Sequence, residues 1–158
     1  MKQYTKILIL ENIRSAQNVG SIFRSSDAVG IDKIYIAGIT PDPVDRFGRY
    51  RKDISKASLG AEKSIPWEHV ASSSDIVKKL KEDGFKVASL EQDERSIDYK
   101  SFDAPEKIAI VLGSEVDGVS KEVLNISDVI LEIPMKGEKE SLNVSVAGGV
   151  LLFRLFDK

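Results

Sequence analysis

The chain is punctuated by short, unbroken apolar runs. "KILIL" (6–10), "KIYIAG" (33–38), "FKVASL" (85–90), "KIAIVLG" (107–113) and "VILEIP" (129–134) are rich in Ile and Val, and most do not alternate strictly with polar residues. Runs of this kind predict strands covered on both faces, as in a parallel sheet. "SIPW" (64–67) is a weaker candidate. Between the runs a helical spacing takes over. "AQNVGSIFRSSDAV" (16–29) sets Val19, Ile22, Phe23 and Ser26 on one stripe, with Val29 at its edge. "SSDIVKKLKEDG" (73–84) opens on Ser and Asp, carries an Ile76, Val77, Leu80 stripe and stops at Gly84. "SKEVLN" (120–125) reads as a short Ser-capped helix, and a closing helix runs from about Ser141 to Phe156. Strands alternating with helices predict an α/β fold: a mostly parallel sheet of about six strands flanked by helices, in a single domain over 1–158.

The closing helix is apolar nearly all round, through Leu142, Val144, Val146, Val150, Leu151, Phe153 and Leu155. It is expected to be buried on several sides. Ala147, Gly148 and Gly149 let another backbone come close. Packing against the sheet, or against a second subunit or a threaded segment, accounts for this equally well.

Composition narrows the chemistry. Hydrophobic residues make up 42% of the 158 and charged residues 30%, as in ordinary globular domains. The net charge of -2 excludes a basic coat but leaves room for a local basic patch. With no Cys and a single His, His69, thiolate and multi-histidine metal sites are excluded, and no metal is expected. His69, in "PWEHV", reads as a loop residue rather than a catalyst. No leader segment and no membrane-length apolar run is visible, so a cytoplasmic location is expected.

Four segments can carry chemistry. "ENIRSAQNVGSIFRSSDAVG" (11–30) follows the first strand, where open α/β sheets bind ligands. Asn18 lies near a helix start, where it can cap, and Arg24 projects away from the apolar stripe, free to meet a phosphate or a partner. "LGSEVDGVS" (112–120) turns at Gly113 and Gly118 with Glu115 and Asp117 between them. Its carboxylates suit a ribose hydroxyl or a cation, and it lacks the phosphate-cradling GxxxxGK[ST] pattern. "IPMKGEKESLNVSVAGG" (133–149) runs from Ile133 and Met135 through a loop to a helix start at Ser141, Leu142 and Asn143, where side chains and bare N–H groups can face a ligand. "RFGRYRKDISK" (46–56) sets Arg46, Arg49, Arg51, Lys52 and Lys56 against Asp53 alone, with Phe47 and Tyr50 interleaved, as an RNA-facing loop would. The plain alternatives are helix caps, a strand-to-helix turn and a solvated charged loop.

Taken in order, "NVGSIFRSSDAVG", "IVLGSEVDGVS" and "IPMKGEKESLNVSVAGG" resemble the signature segments of the SPOUT superfamily, in particular the TrmH-type RNA ribose 2′-O-methyltransferases. "KASLGAEKSIPW" (56–67) also looks like that family, so the resemblance covers nearly the whole chain. It implies a C-terminal deep trefoil knot, which sequence physics alone would not propose because chains almost never knot. It implies S-adenosylmethionine held by positions matching Leu90, Gly113, Ile133, Met135 and Leu142, and functional side chains at Asn18, Arg24, Glu115, Ser141 and Asn143. It also implies a homodimer with its sites beside the subunit interface, and RNA as substrate, with Arg46, Arg49, Arg51 and Lys52 as candidate contacts. The family proposes the Arg matching Arg24 as a base. A guanidinium is almost never deprotonated, so clamping phosphate and stabilising a developing alkoxide is the expected role.

Long terminal extensions that many relatives use on tRNA or rRNA are not seen, so substrate choice is expected to rest on loops such as 46–56 or on the dimer. The rivals are a knotted enzyme acting on a base nitrogen, a non-catalytic RNA-binding protein on the same scaffold, and a nucleotide-binding α/β protein, which the lack of GxGxxG and of a P-loop disfavours.

Overall fold

The computed structural model describes residues 3–157. Seven strands form one sheet: β1 (Thr5–Glu11), β2 (Lys33–Ala37), β3 (Trp67–Val70), β4 (Lys86–Leu90), β5 (Ile97–Asp98), β6 (Lys107–Leu112) and β7 (Val129–Glu132). The helices are α1 (Ala16–Val29), α2 (Lys52–Ser58), α3 (Ala61–Ser64), α4 (Ser73–Glu82), α5 (Lys121–Ile126) and α6 (Val144–Phe156). The strand order is β3-β2-β1-β6-β4-β7-β5, and every pairing is parallel. Every strand therefore ends at the same edge of the sheet.

The unbroken apolar runs have a simple cause. Leu8 and Leu10 of β1 face a core shared with α1 and α6, through Val19, Ile22, Phe23, Leu151 and Leu155. Ile7 and Ile9 face the opposite core, shared with Ile76, Val77 and Leu80 of α4 and Val123 and Leu124 of α5. Successive strand residues point to opposite faces, so a sheet with helices on both sides needs apolar residues at every position.

Glycine sets how closely the helices approach. A Cβ on Gly20 of α1 would lie 2.5 Å from the Ile54 carbonyl oxygen of α2, and one on Gly148 of α6 would lie 2.8 Å from Leu112 Cδ1 of β6. The Gly20 contact is with backbone, so it fixes how closely α1 and α2 approach.

The expected elements form, with corrections. The sheet has a seventh strand, the two-residue β5, which is too short and too polar to show a pattern. The "SIPW" strand lies three residues later, as β3. Pro66 has no N–H to give a ladder, and Ile65 is buried in the core instead. His69 is accordingly a strand residue at the sheet edge, not a loop residue, and its Nδ1 lies 2.5 Å from Asp42 Oδ1. Part of the 46–56 segment is helical, because α2 begins at Lys52 and plants Ile54 in the core. α1 is capped by Ser15, whose side chain accepts from the Asn18 N–H, so the Asn18 side chain is released for other work. α6 starts at Val144, not Ser141, because the Asn143 side chain accepts from the N–H groups of Ser145 and Val146. α6 is also buried on one side only: Leu151, Leu152 and Leu155 are covered, while Val146, Val150 and Phe153 stay 51%, 38% and 42% exposed.

Candidate functional site

A cavity of about 460 Å³ opens over the carboxyl ends of β4, β6 and β7. Its walls come from the turn after β4 (Leu90–Gln92), the turn after β6 (113–118) and the segment joining β7 to α6, including Ile133, Met135, Ser141 and Leu142. Leu90, Gly113, Ile133, Met135 and Leu142 thus all line one space, although they lie far apart in sequence.

Gly113 is a steric requirement. A Cβ there would lie 2.3 Å from the Val119 nitrogen and 2.4 Å from the Gly118 carbonyl carbon, because the turn folds back over it. Glu91 holds that fold: one oxygen accepts from the Val119 N–H at 2.9 Å, the other from its neighbour Gln92. Gln92 then donates to the Glu140 carbonyl at 2.7 Å, tying the β4 turn to the segment before α6.

At the rim, three candidate side chains form one chain of hydrogen bonds. Asn143 Nδ2 donates to Asn18 Oδ1 at 3.2 Å, and Asn18 Nδ2 donates to Glu115 Oε2 at 3.0 Å. Glu115 also accepts the backbone N–H groups of Arg14 and Ser15, each at 3.0 Å. Its carboxylate therefore fixes the approach to α1 and, through Asn18, the amide that caps α6. Burial pushes the Glu115 pKa up, but the bonds from Arg14, Asn18 and Ser15 outweigh it, and the group titrates below its ordinary 4.5. A carboxyl with a lowered folded-state pKa adds stability above its unfolded value, and that stability is lost as pH falls through the folded value. Replacing Glu115 by Gln should lower the melting temperature at neutral pH, and the gap to the parent should shrink as pH falls below the ordinary 4.5 and through the lowered folded-state value. Parallel thermal melts across pH check this.

Ser141 lines the cavity but stays exposed. Arg24 does not reach the cavity within one chain. It is exposed, two turns along α1 from Asn18, and it makes no hydrogen bond or ion pair with the described residues. Its neighbour Ser25 lies close to Gly149 of α6, where the two helices pack.

The basic segment is less free than its sequence implies. Arg49 pairs with Asp45 at 3.0 Å, and Arg51 makes two bonds to Asp53, at 3.1 and 2.7 Å. Asp45 also accepts the Phe47 and Arg49 N–H groups, closing a tight loop that brings Val44 opposite Tyr50. Arg46 rests on Phe47, and among the described residues Arg46 and Lys52 have no carboxylate partner.

Sequence reasoning passed over Glu11, Glu91 and Gln92. Glu11 is only 2% exposed and accepts from the Ser120 N–H at 2.7 Å, the Ser120 hydroxyl at 2.8 Å and the Ser73 hydroxyl. It sits between the starts of α4 and α5, where partial positive charge favours a carboxylate. The usable signal was an acidic residue closing the run "KILILE".

Fold and site define an α/β ligand-binding protein with its cavity beyond the carboxyl edge of a parallel sheet. Residues 5–153 match the SpoU rRNA Methylase family, and the chain belongs to that family. A Staphylococcus aureus (strain COL) protein assigned to the TrmH family of tRNA/rRNA methyltransferases is 36% identical over 152 residues, 96% of this chain and 58% of its own length. The chain thus spans little more than half of that relative. The fold matches the A. aeolicus TrmH/SpoU tRNA modifying enzyme with a TM-score of 0.83 and 27% identity, over 97% of this chain and 74% of that one. It matches an AdoMet-bound rRNA methyltransferase from Sinorhizobium meliloti with a TM-score of 0.86 and 26% identity, over 96% of this chain and 56% of that one.

Proposed function

We propose that this chain is an S-adenosylmethionine-dependent RNA methyltransferase that acts on a ribose 2′-hydroxyl. The carrying observation is the Asn143–Asn18–Glu115 network at the rim of a cavity that Ser141 and Leu142 line. The residues fit the cofactor. Leu90, Ile133, Met135 and Leu142 offer an apolar surface for the adenosine, and Glu91, Glu115, Asp117 and Glu132 surround the same space with negative charge suited to a sulfonium. The AdoMet-bound relative from Sinorhizobium meliloti supports the assignment.

When bound, the cofactor supplies a methyl group already activated by the sulfonium charge. The protein's part is orientation. Glu115 holds Asn18, Asn18 holds Asn143, and Asn143 fixes the start of α6, so Ser141 and Leu142 face the cavity from a rigid base. In this reading Ser141, which lines the cavity, hydrogen-bonds the acceptor hydroxyl. In this arrangement Asn18 and Glu115 position other groups rather than touch the substrate.

Arg24 enters from a second subunit. The stripe Val146, Val150 and Phe153 is exposed in the single chain, as an isologous dimer seam would be. In this reading each Arg24 serves the partner's cavity, since it is exposed and does not line the cavity of its own chain. The knot belongs to this reading too: β6 lies between β1 and β4, β7 lies between β4 and β5, and α6 packs on α1, a strand order compatible with a threaded C-terminal part.

Incubating the protein with labelled S-adenosylmethionine and unmodified tRNA or ribosomal RNA transcripts, followed by nucleoside analysis, tests the reading. We expect 2′-O-methylnucleosides; label on a base would overturn the ribose assignment. No described helix is long and apolar enough to cross a membrane, which suits a cytoplasmic RNA enzyme.

The ion pairs of the 43–53 segment divide its cations. Replacing Arg46 and Lys52 together by Ala should lower the salt dependence of RNA binding by about one to two ions. Replacing Arg49 and Arg51 by Ala should act mainly by loosening the loop that their pairs with Asp45 and Asp53 hold. Binding titrations over a salt series separate the two effects.

A further inference from the structure

One cation at the cavity mouth has no role in the reading above. Arg14 lies in the turn between β1 and α1, and the structure fixes its backbone firmly. On one side, the Ile13 side chain is fully buried and its N–H donates to Thr40 Oγ1 at 3.0 Å. Thr40 is itself buried and bonds the carbonyls of Leu10 and Ala37. On the other side, the N–H groups of Arg14 and Ser15 share the Glu115 carboxylate. The side chain is treated differently. Its guanidinium lies 3.6 Å from the Asp117 carboxylate, with the two side chains 58% and 74% exposed. A pair this long and this exposed is weak and readily exchanged. Asp117 lines the cavity, so the guanidinium stands at its rim, on a rigid mount, beside the Asn18–Glu115 network.

We propose that Arg14 binds a backbone phosphate of the acceptor RNA strand, with Asp117 as the counter-ion it leaves when RNA arrives. This rests on the RNA methyltransferase reading. A phosphodiester accepts two parallel N–H bonds from the guanidinium fork, which the distant carboxylate does not. The exchange couples docking to the site. The phosphate is taken by the residue whose own N–H helps hold Glu115, so strand placement and the Asn18–Asn143 network share one turn.

The test uses the full chain and four forms: parent, Arg14→Ala, Asp117→Asn and the double variant. The Ala form keeps the backbone N–H that Glu115 needs. Each is titrated with unmodified tRNA and ribosomal RNA transcripts over a salt series, and separately with S-adenosylmethionine. We expect Arg14→Ala to weaken RNA binding about tenfold and to reduce the salt slope by about one, with cofactor affinity unchanged. Asp117→Asn should tighten RNA binding a few-fold in the parent and clearly less in the Arg14→Ala background. An unchanged slope in Arg14→Ala, or an equal Asp117→Asn effect in both backgrounds, would overturn the proposal. So would loss of cofactor binding in Arg14→Ala, because Arg14 would then serve only to hold the turn. A parent that binds cofactor and RNA but shows these negatives leaves the methyltransferase reading standing. A parent that binds neither removes both.

Discussion

Replacing Gly113 by Ala should abolish cofactor binding. The added carbon would sit 2.3 Å from the Val119 nitrogen and 2.4 Å from the Gly118 carbonyl carbon, distances no packed atoms tolerate. Both neighbours are backbone, so relief requires the 113–119 turn to move as a unit. That movement pulls Val119 from the Glu91 carboxylate and carries Ser114 to Asp117 away from the cavity they line. Overpacking of this kind typically lowers stability by about 1–3 kcal/mol, which a folded domain survives. The affinity loss should exceed about a hundredfold, close to 3 kcal/mol. Isothermal titration with S-adenosylmethionine, beside a thermal melt, distinguishes a lost site from a lost fold. Near-parent affinity would mean that the turn does not shape the pocket.

The second large effect concerns Arg24. Changing it to Lys keeps the charge but removes the planar fork, and methyl transfer should fall by about a hundredfold or more while cofactor affinity holds. The structure adds a stronger test, because Arg24 stands away from the cavity of its own chain. Subunits carrying Arg24→Ala and subunits carrying Asn143→Ala should each be nearly inactive alone. Unfolded and refolded together, they should recover about a quarter of parent activity: half the dimers are mixed, and each mixed dimer holds one site with both residues intact. No recovery would place Arg24 in its own chain's site and overturn the crossed arrangement.

What the sequence disclosed follows from how local each signal is. β1, β2, β4, β6 and β7 were legible because burial on both faces leaves an unbroken apolar run. α2 and α3 were not, since each is short and α2 is defined by Ile54 and by the bare Gly20 it rests on, a contact across distant sequence. That Leu90, Gly113, Ile133, Met135 and Leu142 come together was legible only through motif resemblance. Nothing in the spacing of Leu90, Gly113 and Leu142 says that they share one cavity. The Asn18 side chain looked like a cap because Asn often caps, yet Ser15 three residues earlier takes that position. In the basic segment, charge counting within 46–56 omits Asp45, which closes the loop around Arg49. Glu11 shows the reverse case. It looks like a strand terminus and proves to be a buried junction between two helix starts.

The strand order governs when this molecule can become competent during synthesis. β1 and β2 can pair early, but the other flank of β1 waits for β6, whose Ile110 lies opposite Leu8 about a hundred positions downstream. Long-range parallel pairing of this sort slows folding. The cavity waits longer still, because Ser141 to Ala147 supply part of its wall. A nascent chain halted before residue 140 should therefore carry a nearly finished sheet and no affinity for the methyl donor, making ligand capture the last event of maturation.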